Sequence, residues 1–272
     1  MNASPSVLHC AEAKFHDKWA EETAVESVEV VAAFESLTAL ENRFILRLLG
    51  DLRGRRILDV GCGLGESSIY FAMRGANVTA LDISPKMVDL TLQNGRLHGL
   101  EIEGVVGTGE SLNVHDDSFD VVYAANVLHH IQDRGQVYEN VRRSLKPGGT
   151  FVAWDPLKYN PAINVYRRKA SKVRTESESP LGFEDFELSR KYFPDLRHRE
   201  FWLGTLALFF KYYLINRYDP SEVRYWKRIL KETDSTIGLW FKPLSAVDNL
   251  LLRLPLVRRL AWNSVQWGTK EK

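Results

Sequence analysis

Cysteine is almost missing from this chain of 272 residues: Cys10 and Cys62 are its two copies, too few and too far apart for a disulfide framework. A long apolar run is missing too. The most apolar stretch, Phe201 to Ile215, is interrupted by Lys211 and is shorter than the roughly 20 residues a membrane-spanning helix needs. Met1 to Leu8 has neither the charged start nor the apolar run of a signal peptide, so a reducing, cytoplasmic setting is expected. Net charge is nearly absent at +1, no internal repeat of a solenoid is visible, and nothing points to a metal. What the chain does have is 44% hydrophobic residues, ample for a buried core, which excludes disorder and a collagen-like rod.

The small net charge conceals an asymmetry. Residues 1–155 carry 14 Lys+Arg against 22 Asp+Glu, whereas residues 197–272 carry 14 against 7 and hold five of the seven Trp. An acidic front and a basic, aromatic rear face different partners.

From Ala24 to Leu49 the residues Val28, Val31, Leu37, Leu40, Phe44, Ile45, Leu48 and Leu49 recur at threes and fours, which predicts one buried helical stripe closed by Gly50. Short apolar runs then alternate with helical patterns. Arg56–Val60, Asn77–Asp82, Ile102–Val106, Phe119–Ala124 and Thr150–Trp154 read as strands, with helices near 65–74, 85–98 and 133–145 between them. That alternation is the sequence form of right-handed crossovers, so the expected class is α/β with a doubly wound, mostly parallel sheet. Past Trp154 the stretch Asp155 to Pro194, with a basic run and a Ser/Glu patch before Pro180, reads as a loop excursion. A strand at Leu196–Leu203, an aromatic helical region over about 205–232, an amphipathic helix over Leu244–Arg259 and a closing strand within Leu260–Trp267 complete the expectation.

The chemistry is densest in Ile57-Leu-Asp-Val-Gly-Cys-Gly-Leu-Gly-Glu66. A buried strand ends in a glycine-rich turn that opens a helix, so backbone approaches a ligand closely and helix N–H groups point into the site. A dinucleotide fingerprint wants a small residue where this chain has Glu66, and a carboxylate there opposes a pyrophosphate. Asp82, 21 residues after Gly61 at the end of the second strand, is placed to accept hydrogen bonds from a ribose diol. These features describe a site for a phosphate-free nucleoside.

Here the chain resembles the class I S-adenosylmethionine-dependent methyltransferases. The Asp59 to Gly65 turn, Asp82-Ile-Ser84, Phe119-Asp-Val-Val-Tyr123 followed by Asn126-Val-Leu-His-His130, and Leu145-Lys-Pro-Gly-Gly149 stand in that family's order over about residues 50–155. The resemblance implies a Rossmann-like fold and S-adenosyl-L-methionine as cofactor. It assigns the turn of Asp59, Gly61, Cys62, Gly63 and Gly65 to the methionine part, Asp82 to the ribose, Ile83 and Met87 to one adenine face, and Asn126 to the amino-acid end. Relatives often carry Asp-Ala at the adenine edge, where this chain has Thr108, Gly109 and Glu110. Phe15-His-Asp-Lys-Trp-Ala20 resembles the cofactor-covering arm of small-molecule methyltransferases, and Asp155-Pro-Leu-Lys-Tyr-Asn-Pro161 a bacterial subgroup of the family.

Three imidazoles are candidate proton acceptors: His130 first, then His129, and His16 in the arm. Arg167-Arg168 and Arg174-Thr175 are candidates to clamp a carboxylate or phosphate of the acceptor. The place after the fourth strand holds Ala124-Ala-Asn-Val127 rather than the Pro-Pro-Tyr that grips a flipped base, so no nucleic-acid partner is expected. The expected organisation is an N-terminal helical arm (1–50), a cofactor-binding core (51–155), and an acceptor-side excursion with a helical lid inserted before the closing strand (156–272). The expected function is methylation of a small molecule, chiefly at oxygen; the alternatives are a binding protein of the same fold without transfer and, third, an NAD-dependent oxidoreductase. Apolar stripes with flanking Arg253, Arg258 and Arg259 also suggest peripheral membrane contact through 201–260 and a hydrophobic or lipid-linked acceptor, against burial of the same faces on the sheet edge or in a homo-oligomer.

Overall fold

A computed structural model of the protein describes residues 5–175 and 178–272. Met1–Ser4 and, within the Ser/Glu patch, Glu176 and Ser177 lie outside the described residues. Seven strands form one sheet: β1 (Arg56–Val60), β2 (Asn77–Asp82), β3 (Glu103–Val106), β4 (Phe119–Ala125), β5 (Leu145–Pro156), β6 (Arg197–Phe201) and β7 (Asn263–Thr269). Their spatial order is β3-β2-β1-β4-β5-β7-β6, with β1 to β5 parallel and β7 antiparallel to both neighbours. The order reverses between β1 and β4. A crevice therefore opens at their carboxyl ends, the place where open α/β sheets hold ligands.

The helices are α1 (Pro5–Glu21), α2 (Val30–Glu35), α3 (Leu40–Leu49), α4 (Glu66–Met73), α5 (Pro85–Leu97), α6 (Arg134–Ser144), α7 (Pro161–Lys169), α8 (Phe183–Arg190), α9 (Ala207–Phe210), α10 (Tyr225–Arg228) and α11 (Asp234–Leu251). Alternate strand residues face opposite layers. Ile57, Val121 and Tyr123 join Phe34, Ile45 and Phe71 on one face, and Leu58, Val122 and Phe151 join Tyr138, Val141 and Phe186 on the other. Both faces are covered, as near-continuous apolar strands require.

Four expectations need correction. The single stripe over 24–49 is broken into a short 3-10 turn, α2 and α3, because Thr38 leaves the helical path to donate its hydroxyl to the Ile229 carbonyl at 2.7 Å and Asn42 ties back to the Ala33 carbonyl at 2.8 Å. The excursion after β5 holds two helices: α7, started by Asn160 capping the Ile163 N–H with Pro161 in its first turn, and α8. The aromatic region is mostly short turns, with only four residues each in α9 and α10 and a π-helical turn at Lys211–Ile215. The amphipathic helix lies earlier than its pattern implied, running through Pro243 and stopping before Pro255, since Thr233 supplies a capping box upstream.

Candidate active site

The turn after β1 is built by backbone shape. Gly61, Gly63 and Gly65 have φ of 73°, 53° and 88°, a region L side chains rarely adopt. A Cβ on Gly61 would stand 2.2 Å from Val127 Cγ2, and one on Gly65 2.7 Å from Thr91 Oγ1. A Cβ on Gly63 would meet nothing within 4 Å, so this glycine faces open space. Asp82 shapes the same loop: its Oδ2 accepts the Gly63 N–H at 2.9 Å and its Oδ1 the Ser84 N–H at 2.9 Å, while burial raises its pKa above the ordinary value.

These groups open into a cavity of about 310 Å³ that runs from the glycine turn past the imidazoles to an aromatic wall. Gly61, Cys62, Gly63, Asp82, Ile83, Thr108, Gly109, Glu110, Asn126 and all three candidate histidines line it. Asp59, Gly65 and Met87 are not on its surface. Asp59 is fully buried and accepts the hydroxyls of Ser67 and Ser68 at 2.6 Å each, holding the start of α4, and burial pushes its carboxyl up to about 6. Met87 packs behind the wall against Leu64 and Ala20. Glu66 does line the cavity but is ion-paired with Lys227 from α10, so it is not the bare carboxylate that the argument against a pyrophosphate assumed.

The arm α1 closes over the crevice. Asp17 accepts the Ser84 hydroxyl at 2.5 Å, and Arg224 stacks over the Trp19 ring at 4.2 Å. His9 contacts the Glu110 carboxylate at 3.3 Å, at the end where an adenine edge is expected. From the next turns of α1, Glu12 Oε1 accepts from His16 at 3.0 Å and from His130 at 2.8 Å. Burial works to raise the Glu12 pKa, but the hydrogen bonds from His130 and His16 outweigh it and hold the carboxyl well below its usual range. One carboxylate oxygen and two imidazole nitrogens thus lie within 4.8 Å of one another, a spacing that suits a divalent cation as well as a hydrogen-bonded chain.

His129 has the more constrained environment. Its Nδ1 lies 2.7 Å from Asp155 Oδ1, which also accepts the His129 backbone N–H at 3.2 Å, and both side chains are buried. Burial drives the imidazole well below its usual pKa, reinforced by the nearby His130 and Arg174, and pushes the Asp155 carboxyl up to about 7. An imidazole whose Nδ1–H is held by a carboxylate presents its other nitrogen as a proton acceptor, the role expected from sequence of His130 first and of His129 next.

Beyond the histidines the wall is aromatic: Trp154, Tyr166, Trp202 and Trp226. Its deep end is polar. The Tyr123 hydroxyl donates to Asn42 at 2.8 Å and accepts from Trp154 Nε1 at 3.1 Å, and the Glu41 carboxyl accepts from Asn263 at 2.6 Å with its pKa raised by complete burial. Glu12, Glu41, Tyr123 and Asp155 were not singled out as site residues from the sequence. Two of them had signals: Glu12 stands four residues before His16, and Glu41 shares a buried helical stripe with Ile45 and Leu49, where a carboxylate is out of place. Arg168 is turned to solvent, whereas Arg167 and Arg174 line the cavity.

Sheet order, crevice, glycine turn and the carboxylate ending β2 are arranged as in the class I methyltransferase fold, and residues 58–153 match the methyltransferase domain family. Among curated relatives it is 41% identical, over 128 residues, to the ubiquinone biosynthesis O-methyltransferase of Alkalilimnicola ehrlichii, covering 45% of this chain and 50% of that protein. The chain thus spans about half the length of that relative. In fold it is similar to an S-adenosylmethionine-dependent methyltransferase of Thermotoga maritima, with a TM-score of 0.58 at 17% identity over 95% of this chain and 99% of that one. It is also similar to phosphoethanolamine N-methyltransferase 2 of Haemonchus contortus, solved with phosphomonomethylethanolamine and S-adenosylhomocysteine, with a TM-score of 0.56 at 16% identity over 86% of this chain and 52% of that one.

Proposed function

We propose that this protein transfers a methyl group from S-adenosylmethionine to an oxygen of a small, largely apolar acceptor. The observation that carries the reading is the cavity that joins the glycine turn and Asp82 to the hydrogen-bonded His129–Asp155 pair and an aromatic wall. The residues present fit the cofactor: Gly63 leaves open space where a side chain would intrude, and Asp82 sits at the wall with both oxygens held in place by backbone N–H groups. When bound, S-adenosylmethionine supplies an electrophilic methyl group on a sulfonium.

This chain's own residues then have separable tasks. Gly61, Cys62, Gly63 and the Asn126 backbone cradle the amino-acid end, with Asp59 and Gly65 holding the turn; Asp82 accepts from the ribose; Ile83, backed by Met87, covers one adenine face; Thr108, Gly109 and Glu110 meet its edge. His129, oriented by Asp155, takes the hydroxyl proton of the acceptor at the imidazole nitrogen that Asp155 leaves open. Glu12 aligns His16 and His130 and draws the arm down, which excludes water and positions the acceptor, the larger part of catalysis for a displacement that depends on alignment. The insertion between β6 and β7 serves as the lid, contributing Trp202, Trp226 and Lys227. The O-methyltransferase relative supports oxygen as the methylated atom. A fold kept for binding alone would have no use for an oriented proton acceptor. The test is calorimetry with S-adenosylhomocysteine and NAD, followed by turnover on a panel of phenols and hydroxy acids: binding of NAD in place of S-adenosylhomocysteine would refute the assignment.

The acceptor side also supports a peripheral site on an anionic lipid surface. Much of the first apolar run, including Trp202, Leu206, Phe209 and Tyr212, is buried, but Phe210, Tyr213, Leu214 and Ile215 are exposed. On α11, Leu239 at 93% exposure, Val247, Leu250 and the following Leu254 stand out along one helical face beside Arg253 and Arg259. An apolar stripe flanked by cations is what an interfacial helix presents, and it fits a hydrophobic or lipid-linked acceptor. Among the described residues no helix is long and apolar enough to cross a membrane.

A further inference from the structure

Among the described residues, the acceptor end of the cavity holds two guanidinium groups on one carboxylate. Arg167, in the last turn of α7, donates Nη2 to Glu178 Oε2 at 3.0 Å, and Arg174 is paired with the same oxygen. Two guanidinium groups therefore share one carboxylate. All three side chains are largely buried, at 12%, 14% and 9% exposure, and all three line the cavity. Among the described residues the other carboxylates near this end are already engaged: Glu12 by two imidazoles, Asp155 by His129 and Glu41 by Asn263. Arg167 Nη1 is buried with no hydrogen-bond partner among the described residues. An uncompensated buried charge is costly unless something pairs with it, and a guanidinium fork with free N–H groups matches the oxygens of a carboxylate or phosphate.

The cluster stands beside the reacting end. Ring nitrogens of His129 and His130 and a carboxylate oxygen of Glu178 lie within 4.8 Å of one another, and Arg174 stacks on Trp226 at 5.6 Å, which holds its guanidinium against the aromatic wall. We infer that the acceptor carries an anionic group, carboxylate or phosphate oxygens, seated on Arg167 and Arg174 within the same cavity as the methylated oxygen. This rests on the methyltransferase reading for the word acceptor, but the anion subsite itself does not. Arg168, one residue on and exposed, provides the internal control.

The experiment uses full-length protein saturated with S-adenosylhomocysteine and titrated at constant ionic strength with acetate, benzoate and inorganic phosphate, small enough to enter whatever the acceptor's shape, with phenol as the neutral comparison. Calorimetry and tryptophan fluorescence, to which Trp226 contributes, are read together. Saturable binding of benzoate or phosphate is expected, with benzoate at least tenfold tighter than phenol if the group is a carboxylate and phosphate the tightest if it is a phosphate. Arg167→Gln should weaken the anions at least tenfold, Arg167→Lys should restore part of that loss, and Arg168→Gln should change nothing, all with S-adenosylhomocysteine affinity preserved. The two Arg167 variants guard against loss of fold, which thermal melts report. The inference is overturned if none of the anions saturates, if folded Arg167→Gln binds them as wild type does, or if Arg168→Gln weakens them equally. Anion binding without any binding of S-adenosylhomocysteine would instead refute the proposed function and leave the subsite standing.

Discussion

Asp82 offers the sharpest test of the cofactor half, because the structure separates what its carboxylate does for the protein from what it does for a ligand. Replacing it with Ala removes the acceptor facing the cavity, a loss of about 1.5–3 kcal/mol for hydrogen bonds to a charged group, or roughly 10- to 150-fold in Kd. It also strips the Gly63 and Ser84 N–H groups of their acceptors at 2.9 Å each, and Ser84 is buried, so the variant is expected to melt lower as well. Asp82→Asn distinguishes the two losses. Its amide oxygen can satisfy one of those N–H groups while its NH2 must face the other, so the turn is partly kept but one donor meets another. We expect Asp82→Asn to recover stability over Asp82→Ala without recovering affinity. Burial raises the Asp82 pKa, so affinity for S-adenosylhomocysteine should fall toward acid pH in the wild type and become flat in both variants. The assay is calorimetry with S-adenosylhomocysteine at several pH values, with melts alongside. Affinity within about twofold of wild type in a folded Asp82→Ala protein would be too small for a lost charged hydrogen bond and would refute the reasoning.

Gly61→Ala places a methyl where Val127 already stands and should cost cofactor affinity and thermal stability together; unaltered values for both would show that the turn is looser than its geometry implies. Asp155→Asn should lower kcat by about 100-fold or more with little change in cofactor affinity, since it removes the group that orients His129, whereas His130→Ala should cost less; near-wild-type turnover in Asp155→Asn would leave alignment alone to explain catalysis. Because the Asp155 carboxyl is raised from 3.8 to about 7, the folded state keeps a proton that the unfolded chain releases, so stability from this group is complete at low pH and is lost as pH rises from about 4 to 7. Turnover should rise over the upper part of that window as the carboxylate forms, and Asp155→Asn should flatten both profiles. Cosedimentation with anionic vesicles should retain the protein at low salt and less at physiological salt, and Leu250→Glu with Leu254→Glu should release it; no vesicle-bound fraction in either buffer would exclude the membrane surface.

What could be read in advance, and what could not, follows from how each part is made. β1 and β2 fall on the residues expected from sequence, because strands buried on both faces are unbroken apolar runs between turn signals. The stripe over 24–49 misled because what breaks it is a hydrogen bond from Thr38 to a carbonyl 191 residues away, which no local pattern contains. α11 starts at Asp234 rather than at Leu244 because the capping box at Thr233 opens the helix upstream and the chain runs through Pro243, which no local pattern signals. The two halves of the site divide along the same line. The cofactor half is made mainly by backbone in one contiguous turn, and backbone that must bend with positive φ declares itself through glycines at fixed spacing.

The proposed acceptor half is made by side chains, each element lending one or two: Glu12 and His16 from α1, Glu41 and Asn42 from α3, Tyr123 from β4, Arg167 from α7 and Asn263 from β7, with Asp155 of β5 behind His129. No two of these elements are read together until the sheet order is known. Even then the signal is negative in kind. Glu41 stands out because a carboxylate occupies a position that the Ile45–Leu49 stripe reserves for an apolar residue, and Arg167 because its charge exceeds what its neighbours cancel. A buried polar group that the fold does not need is the mark such a site leaves in a sequence, and finding it takes first the helix face and then the partner list. That is why spacing alone can point to Asp82, while the pairing of His129 with Asp155 shows only when β4 and β5 lie side by side, the two residues 26 apart in the chain and 2.7 Å apart in space.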